Sequence, residues 1–120
     1  MYEGHKNDLV KFILSSEFIF SLAEEGDFII FNIKTGGIVR RKKFEKDFRI
    51  LIHPTTYVNK LLFADDNSIE LWNIIDDDLV YKFENALKDA KGKITNIVQS
   101  PVIHTVAVGF SDGEIRLVNL

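Results

Sequence analysis

The sequence predicts an all-β protein built from a repeated unit of four antiparallel strands, and three observations support this prediction. Short apolar runs centred on Phe31, Trp72 and Val118 lie 41 and 46 residues apart. Each run is rich in the branched and aromatic residues that favour strands. Each run also follows an acid and a turn-forming residue, as a tight hairpin requires. A repeat of this period, with several strands in each unit, is typical of β-propeller blades.

The tight turns have the same chemistry in all three units. A Gly or Asn supplies the positive φ that a two-residue hairpin needs. The acid before it is expected to accept hydrogen bonds from the backbone amides of the turn. These pairs are Glu25-Gly26, Asp66-Asn67 and Asp112-Gly113.

Each unit is predicted to place its third strand after this turn and an unbroken apolar strand before it. Unbroken apolar runs are typical of strands that are covered on both faces, as in stacked blades. The first strands are predicted at residues 9–14, 48–52 and 94–98, the second at 18–20, 60–64 and 106–109, and charge-rich fourth strands at 38–44 and 79–83.

The predicted blades span about residues 5–44, 45–84 and 93–120, and the last lacks an outer strand. Residues 85–93 have helical composition but are too few for a stable isolated helix, so we expect a loop insertion with one helical turn. Propellers close with roughly four to eight blades, so this chain is predicted to form a partial propeller that is not closed.

The repeated columns resemble WD40 repeats, whose blades commonly open with Gly-His and end the third strand with Trp-Asp. Here Gly4-His5 opens the first unit and Trp72-Asn73 ends the third strand of the second. In that family a His, a Ser or Thr, an Asp and a Trp form a hydrogen-bonded set within one blade. The resemblance implies structural roles for some of these columns, and no unit keeps the whole set. The residues concerned are His5, Phe31, Asp66, Trp72, Asp112 and Gly113, with Asn32, Asn73 and Asn119 where Asp is usual.

A narrower resemblance is carried by the string His-Pro-Thr-Thr-Tyr-Val-Asn-Lys at residues 53–60. With residues 61–62, 68–74 and 79–83, it is similar to early blades of the U3 small nucleolar RNA-associated WD-repeat protein 21 family, known in animals as WD repeat-containing protein 36. Ser100-Pro101 and the segments 106–109 and 113–115 are similar to the next blade of that family.

This resemblance implies a non-enzymatic scaffold of the small-subunit processome, the U3 particle that matures pre-18S ribosomal RNA in the nucleolus. The implied partners are other WD-repeat processome proteins, with pre-ribosomal RNA or U3 RNA as a further contact. The alternative is a WD40 protein-interaction adaptor of another pathway, such as a ubiquitin-ligase receptor or a trafficking coat.

Composition limits other functions. The chain has no cysteine, which excludes a disulfide framework and a cysteine zinc site. Its 15 Lys and Arg against 18 Asp and Glu give a net charge of −3, so binding to nucleic acid would need a local basic patch. No apolar run approaches the ~20 residues of a membrane span, and no membrane partner is expected.

No catalytic, cofactor-binding, metal-binding or small-molecule site is predicted. His104 and Ser111 would lie at opposite ends of one strand, and His53 has no carboxylate nearby in the sequence. A nucleophile and its base must instead converge in a cleft. The acidic run 76–78 lacks the alternating ligands and the glycine of a calcium loop, so a solvated turn is expected.

The only dense basic cluster is Arg40-Arg41-Lys42-Lys43, within the first predicted fourth strand. Four adjacent cations could contact RNA phosphates or serve as a nuclear import signal. Charges on an outer strand also prevent other chains from adding to the sheet edge. The sequence leaves both interpretations open.

Overall fold

The computed structural model describes residues 2–54, 59–100 and 104–120. Its strands form three antiparallel sheets, two of four strands and one of three, which do not close on one another. The predicted all-β class and the open, partial architecture are confirmed. No helix in the described ranges is long and apolar enough to cross a membrane.

The first sheet joins four strands in chain order and lies in one compact unit, Met1–Leu51. The strands are β1 (Leu9–Leu14), β2 (Phe18–Ala23), β3 (Asp27–Asn32) and β4 (Ile38–Lys43). The two inner strands are buried on both faces, as their unbroken apolar runs predict. Phe20 and Phe28 lie on one face, and Ile29 and Phe31 lie on the other.

The second sheet also joins four strands in chain order. They are β5 (Ile50–Ile52), β6 (Lys60–Ala64), β7 (Ile69–Asn73) and β8 (Asp78–Lys82). The prediction that the first of these strands begins at Phe48 is wrong. Phe48 lies before the ladder and is buried with its ring edge-on to Phe44, with centroids 5.3 Å apart, a tertiary aromatic contact that the strand pattern does not encode.

The third sheet has the order β11-β10-β9. Its strands are β9 (Ile94–Gln99), β10 (Thr105–Phe110) and β11 (Ile115–Asn119). Burial alternates along β10, so Val106 and Val108 are covered while Ile115 and Leu117 of the neighbouring strand are exposed. One face of this sheet, which carries Ile115 and Leu117, is therefore uncovered in the part of the chain that the structure describes.

The second compact unit, Ile52–Leu120, contains the third sheet and most of the second. The predicted insertion holds one short 3₁₀ turn, Asn85–Leu87, in place of a stable helix. After it, the amide of Ile94 donates to the carbonyl oxygen of Asp66 at 2.8 Å, which ties the start of β9 to the β6–β7 turn.

Candidate functional site

The N-terminal segment, residues 2–7, lies on one face of the first sheet. The Tyr2 hydroxyl donates to the carbonyl oxygen of Ile33 at 2.6 Å. The Tyr2 ring meets Phe31 edge-on, with centroids 5.7 Å apart. These contacts bring His5 over the side chains that β2 and β3 project to this face.

His5 joins three strands through a buried polar network. Its Nδ1 lies 2.9 Å from Asp27 Oδ2, and its Nε2 lies 2.6 Å from Ser21 Oγ. The Ser21 hydroxyl also donates to the carbonyl oxygen of Ile29 at 3.3 Å. From β4, Arg41 donates to both Asp27 oxygens, Nε at 3.3 Å and one terminal nitrogen at 3.1 Å.

Asp27 carries a charge in the interior of this network. Its burial alone would raise the pKa of the carboxyl. The hydrogen bonds from His5 and Arg41, together with the positive charges of these partners, outweigh burial and hold the pKa below its ordinary value. The carboxylate is therefore ionised at neutral pH and serves as the counterion of Arg41.

A Ser, a His and an Asp in contact have the composition of a catalytic triad, but this network is built differently. Ser21 is 3% exposed and its hydroxyl is engaged with the backbone of β3, so no substrate reaches it. A nucleophile needs access to a cleft as well as a base. The arrangement instead fastens the N-terminal segment to β2, β3 and β4.

The residues that complete this network were not predicted. The aligned acid of the first unit is Glu25, which has a positive φ of 65° in the turn, whereas the partner of His5 is Asp27. Phe31, in the tryptophan column, is 2% exposed and contacts the rings of Tyr2 and His5. An acid at the first position of the third strand is the one sequence feature that could have indicated Asp27.

The second unit uses different partners. The Trp72 indole donates to Glu70 Oε1 at 3.0 Å, two residues earlier on the same face of β7. The acid that accepts from the turn is Asp65, which receives the amide of Asn67 at 2.9 Å and the hydroxyl of Ser68 at 2.7 Å. The side chain of Asp66, which the column alignment placed in this role, is exposed.

In the third unit the turn follows the predicted chemistry. Asp112 Oδ1 accepts from the amide of Glu114 at 3.1 Å, and Gly113 has a φ of +90°. Arg116 is a residue that the sequence did not single out. It pairs with Glu114 and donates to the carbonyl oxygens of residues 86 and 88, at 3.0 and 2.7 Å, so it holds the insertion against β11.

The Asn that ends the third strands has a local function in the first two units. Asn32 Oδ1 accepts from the amides of residues 34 and 35, and Asn73 Oδ1 accepts from those of residues 75 and 76. Each caps the turn to the fourth strand. The predicted acidic turn after Asn73 is exposed, and within the described ranges no three His, Asp or Glu side chains are placed to hold a metal ion.

The basic cluster Arg40–Lys43 is divided between the two faces of β4. Arg41 and Lys43 lie on the face of Asp27, and Arg40 and Lys42 lie on the other, because side chains alternate along a strand. Lys42 lies over the Phe44 ring, with its Nζ 5.2 Å from the centroid. On the Asp27 face there is an open pocket of about 400 Å³, lined by Lys6, Asn7, Asp27, Arg41 and Lys43.

The family model described as "WDR36/Utp21 first beta-propeller" matches residues 1–120. The human WD repeat-containing protein 36 is 29% identical over 123 residues, which cover 99% of this chain and 13% of that protein. The U3 small nucleolar RNA-associated protein 21 homolog of Schizosaccharomyces pombe is 36% identical over 75 residues, or 62% of this chain and 8% of that protein. The chain thus spans a small part of the curated relatives it matches.

Solved structures support the fold. The crystal structure of the RRP9 WD40 repeats superposes on 98% of this chain and 37% of its own length, with a TM-score of 0.79 and 13% identity. The structure of U3-55K gives the same TM-score over 98% of this chain and 38% of its own. The predicted WD40-type propeller architecture is confirmed.

Proposed function

Because this chain belongs to the WDR36/Utp21 first β-propeller family, we propose that it is part of a non-enzymatic scaffold of the small-subunit processome, acting in pre-18S ribosomal RNA processing. The match of the family over all of residues 1–120 is the observation that carries the proposal. The name of the Schizosaccharomyces pombe relative, which associates that protein with U3 small nucleolar RNA, supports the specific pathway.

The internal geometry suits a scaffold. Partly buried hydrogen bonds, such as those of His5 and Trp72, hold strands in place. Function in such a fold resides in the loops and edges that a rigid frame presents to partners. The exposed outer strands β4 and β8 provide edges of this kind.

The chain supplies blades at about residues 5–44, 45–84 and 93–120, the last without its outer strand. His5, Phe31, Trp72, Asp112 and Gly113 have structural roles in these blades, and Asp65 takes the role expected of Asp66 in the second turn. The partners are other WD-repeat processome proteins, with pre-ribosomal RNA or U3 RNA in contact through cations of Arg40–Lys43. The site of action is the nucleolus.

Affinity purification of the full-length protein that carries this chain tests the proposal. We expect other WD-repeat assembly factors and U3 RNA to co-purify. A parallel purification from ribonuclease-treated lysate separates protein contacts from those bridged by RNA, and a tagged WD40 protein of another pathway is the control. Recovery of ubiquitin-ligase or coat subunits without U3 RNA would contradict the processome role and favour the alternative adaptor.

A further inference from the structure

We propose that the pocket formed by Lys6, Asn7, Arg41 and Lys43 binds the phosphate backbone of RNA, and that the opposite face of β4 does not. The inference rests on the proposed function, because a role in ribosomal RNA processing supplies the ligand. It assigns the contact to one half of the basic cluster and adds two residues from the N-terminal segment.

The pocket brings together groups that are distant in the sequence. Lys6 and Asn7 come from the segment that His5 anchors, and Arg41 and Lys43 come from the outer strand β4. Ammonium and guanidinium groups donate to phosphate oxygens. The Asn7 amide nitrogen already donates to the Glu24 carbonyl oxygen at 3.3 Å and to Glu25 Oε2 at 3.4 Å, so Asn7 shapes the pocket wall and the cations supply the donors. An open pocket of about 400 Å³ can receive a phosphodiester group from solvent.

Arg41 is pre-organised for this contact. Two of its N–H groups, on Nε and one terminal nitrogen, donate to Asp27 and fix the plane of the guanidinium. A guanidinium has five N–H donors, so others remain for a ligand. The Arg41 side chain is 43% exposed, whereas that of Asp27 is 9% exposed. The buried carboxylate is thus covered by its partners, and the cation is presented to solvent.

Two acidic groups oppose a phosphate at this place: Asp27, which lines the pocket but is only 9% exposed, and Glu25. Asp27 is ion-paired with Arg41 and hydrogen-bonded to His5. Glu25 lies 4.0 Å from the Lys43 ammonium, and both side chains are mostly exposed, at 74% and 62%. An exposed pair of this kind contributes little. A phosphate can therefore replace Glu25 as the partner of Lys43, and Glu25 acts as a competitor.

The opposite face of β4 provides a matched control within the same strand. Arg40 lies opposite Ile30, and Lys42 lies opposite Phe28 with its ammonium over the Phe44 ring. Replacing these two cations changes the net charge by the same amount as replacing Lys6 and Lys43. Any difference between the two double variants reports the position of the charges and not their number.

The experiment measures binding of a fluorescent single-stranded oligouridine to the full-length protein across a potassium chloride series. In Lys6→Gln/Lys43→Gln, the slope of log affinity against log salt should become shallower by about 1.4, since each lost contact with single-stranded RNA contributes about 0.7. In Arg40→Gln/Lys42→Gln it should stay unchanged. Glu25→Gln, at an exposed position that does not threaten folding, should bind RNA more tightly.

Two results would overturn the inference: equal slopes in the two double variants, or no tightening in Glu25→Gln. The same variants are also purified for bound partners. If U3 RNA and assembly factors still co-purify while the slopes are equal, the pocket is wrong and the scaffold role stands.

Discussion

Replacing Asp27 by Asn tests whether the polar network stabilises the first sheet. The substitution keeps the size of the side chain and removes its charge. The variant side chain has no ion pair with Arg41, and an NH₂ group replaces one of the two oxygens that accept from His5 and Arg41. The matched control is Asp76→Asn, the same chemical change in the exposed turn after β7.

The magnitude follows from the contacts. Hydrogen bonds to charged groups contribute about 1.5–3 kcal/mol each when buried, and Asp27 makes three. The Asn side chain keeps one acceptor oxygen. The Arg41 side chain is 43% exposed, so solvent screening weakens the contribution of its hydrogen bonds to stability. We therefore expect a local loss of about 2 kcal/mol. Because a change of about 1.4 kcal/mol corresponds to a tenfold change in an equilibrium constant, amide exchange in this sheet should accelerate about 30-fold.

Hydrogen exchange followed by mass spectrometry of the full-length protein measures this effect on the peptides that contain β2 and β3. Exchange within about twofold of the parent protein, or an equal change in Asp76→Asn, would refute the reasoning. The pH dependence gives a second test. The pKa of Asp27 is lowered on folding, so its stabilisation is present above about pH 4 and is lost as pH falls through the folded-state value. The ratio of exchange rates between variant and parent should therefore shrink below about pH 4.

Two further predictions concern the turns and the insertion. Gly26→Ala should lower the free energy of unfolding of its sheet more than Gly113→Ala does. A left-handed conformation costs about 1–2 kcal/mol, and this is the only cost expected in Gly113→Ala, where a Cβ meets nothing within 4 Å. A Cβ at Gly26 would in addition lie 2.6 Å from the Lys46 carbonyl oxygen. Hydrogen exchange in β3 and in β11 measures the two effects, and equal effects would contradict the prediction. Arg116→Ala should speed exchange in residues 85–91 and leave the first sheet unchanged, since this side chain holds the carbonyl groups of the insertion. Unchanged exchange in that segment would show that other contacts hold it.

The strands could be predicted because their signals are local. Apolar runs bounded by turn residues indicated β2, β3, β6, β7 and β10 within a few residues, since these strands have to bury their side chains. The apolar pattern extends the predicted strand to Phe48, whereas the packing of Phe48 against Phe44 is a tertiary contact that the pattern does not contain.

The polar site was less accessible to prediction. The contact between His5 and Asp27 joins residues 22 positions apart and depends on how the N-terminal segment crosses the sheet. In the second unit the acid that accepts from the turn is Asp65 and not the predicted Asp66, because a column alignment does not resolve a shift of one residue within a turn. The division of the basic cluster, by contrast, follows from the alternation of side chains along any strand.

The third strands of the first two sheets have different polar partners, Asp27 with His5 and Arg41 in the first and Glu70 with Trp72 in the second, and this bears on folding fidelity. Consecutive repeats of similar shape are prone to exchange strands with one another during folding. If β7 took the place of β3, the aligned columns would put Ser68 at the position of Asp27 and leave Arg41 without its counterion. Glu70 would then occupy the position of Ile29, opposite Ser21, whose hydroxyl donates a hydrogen bond to the backbone carbonyl oxygen at that position. Divergence among the repeats thus penalises wrong pairings and gives each hairpin one place in the protein.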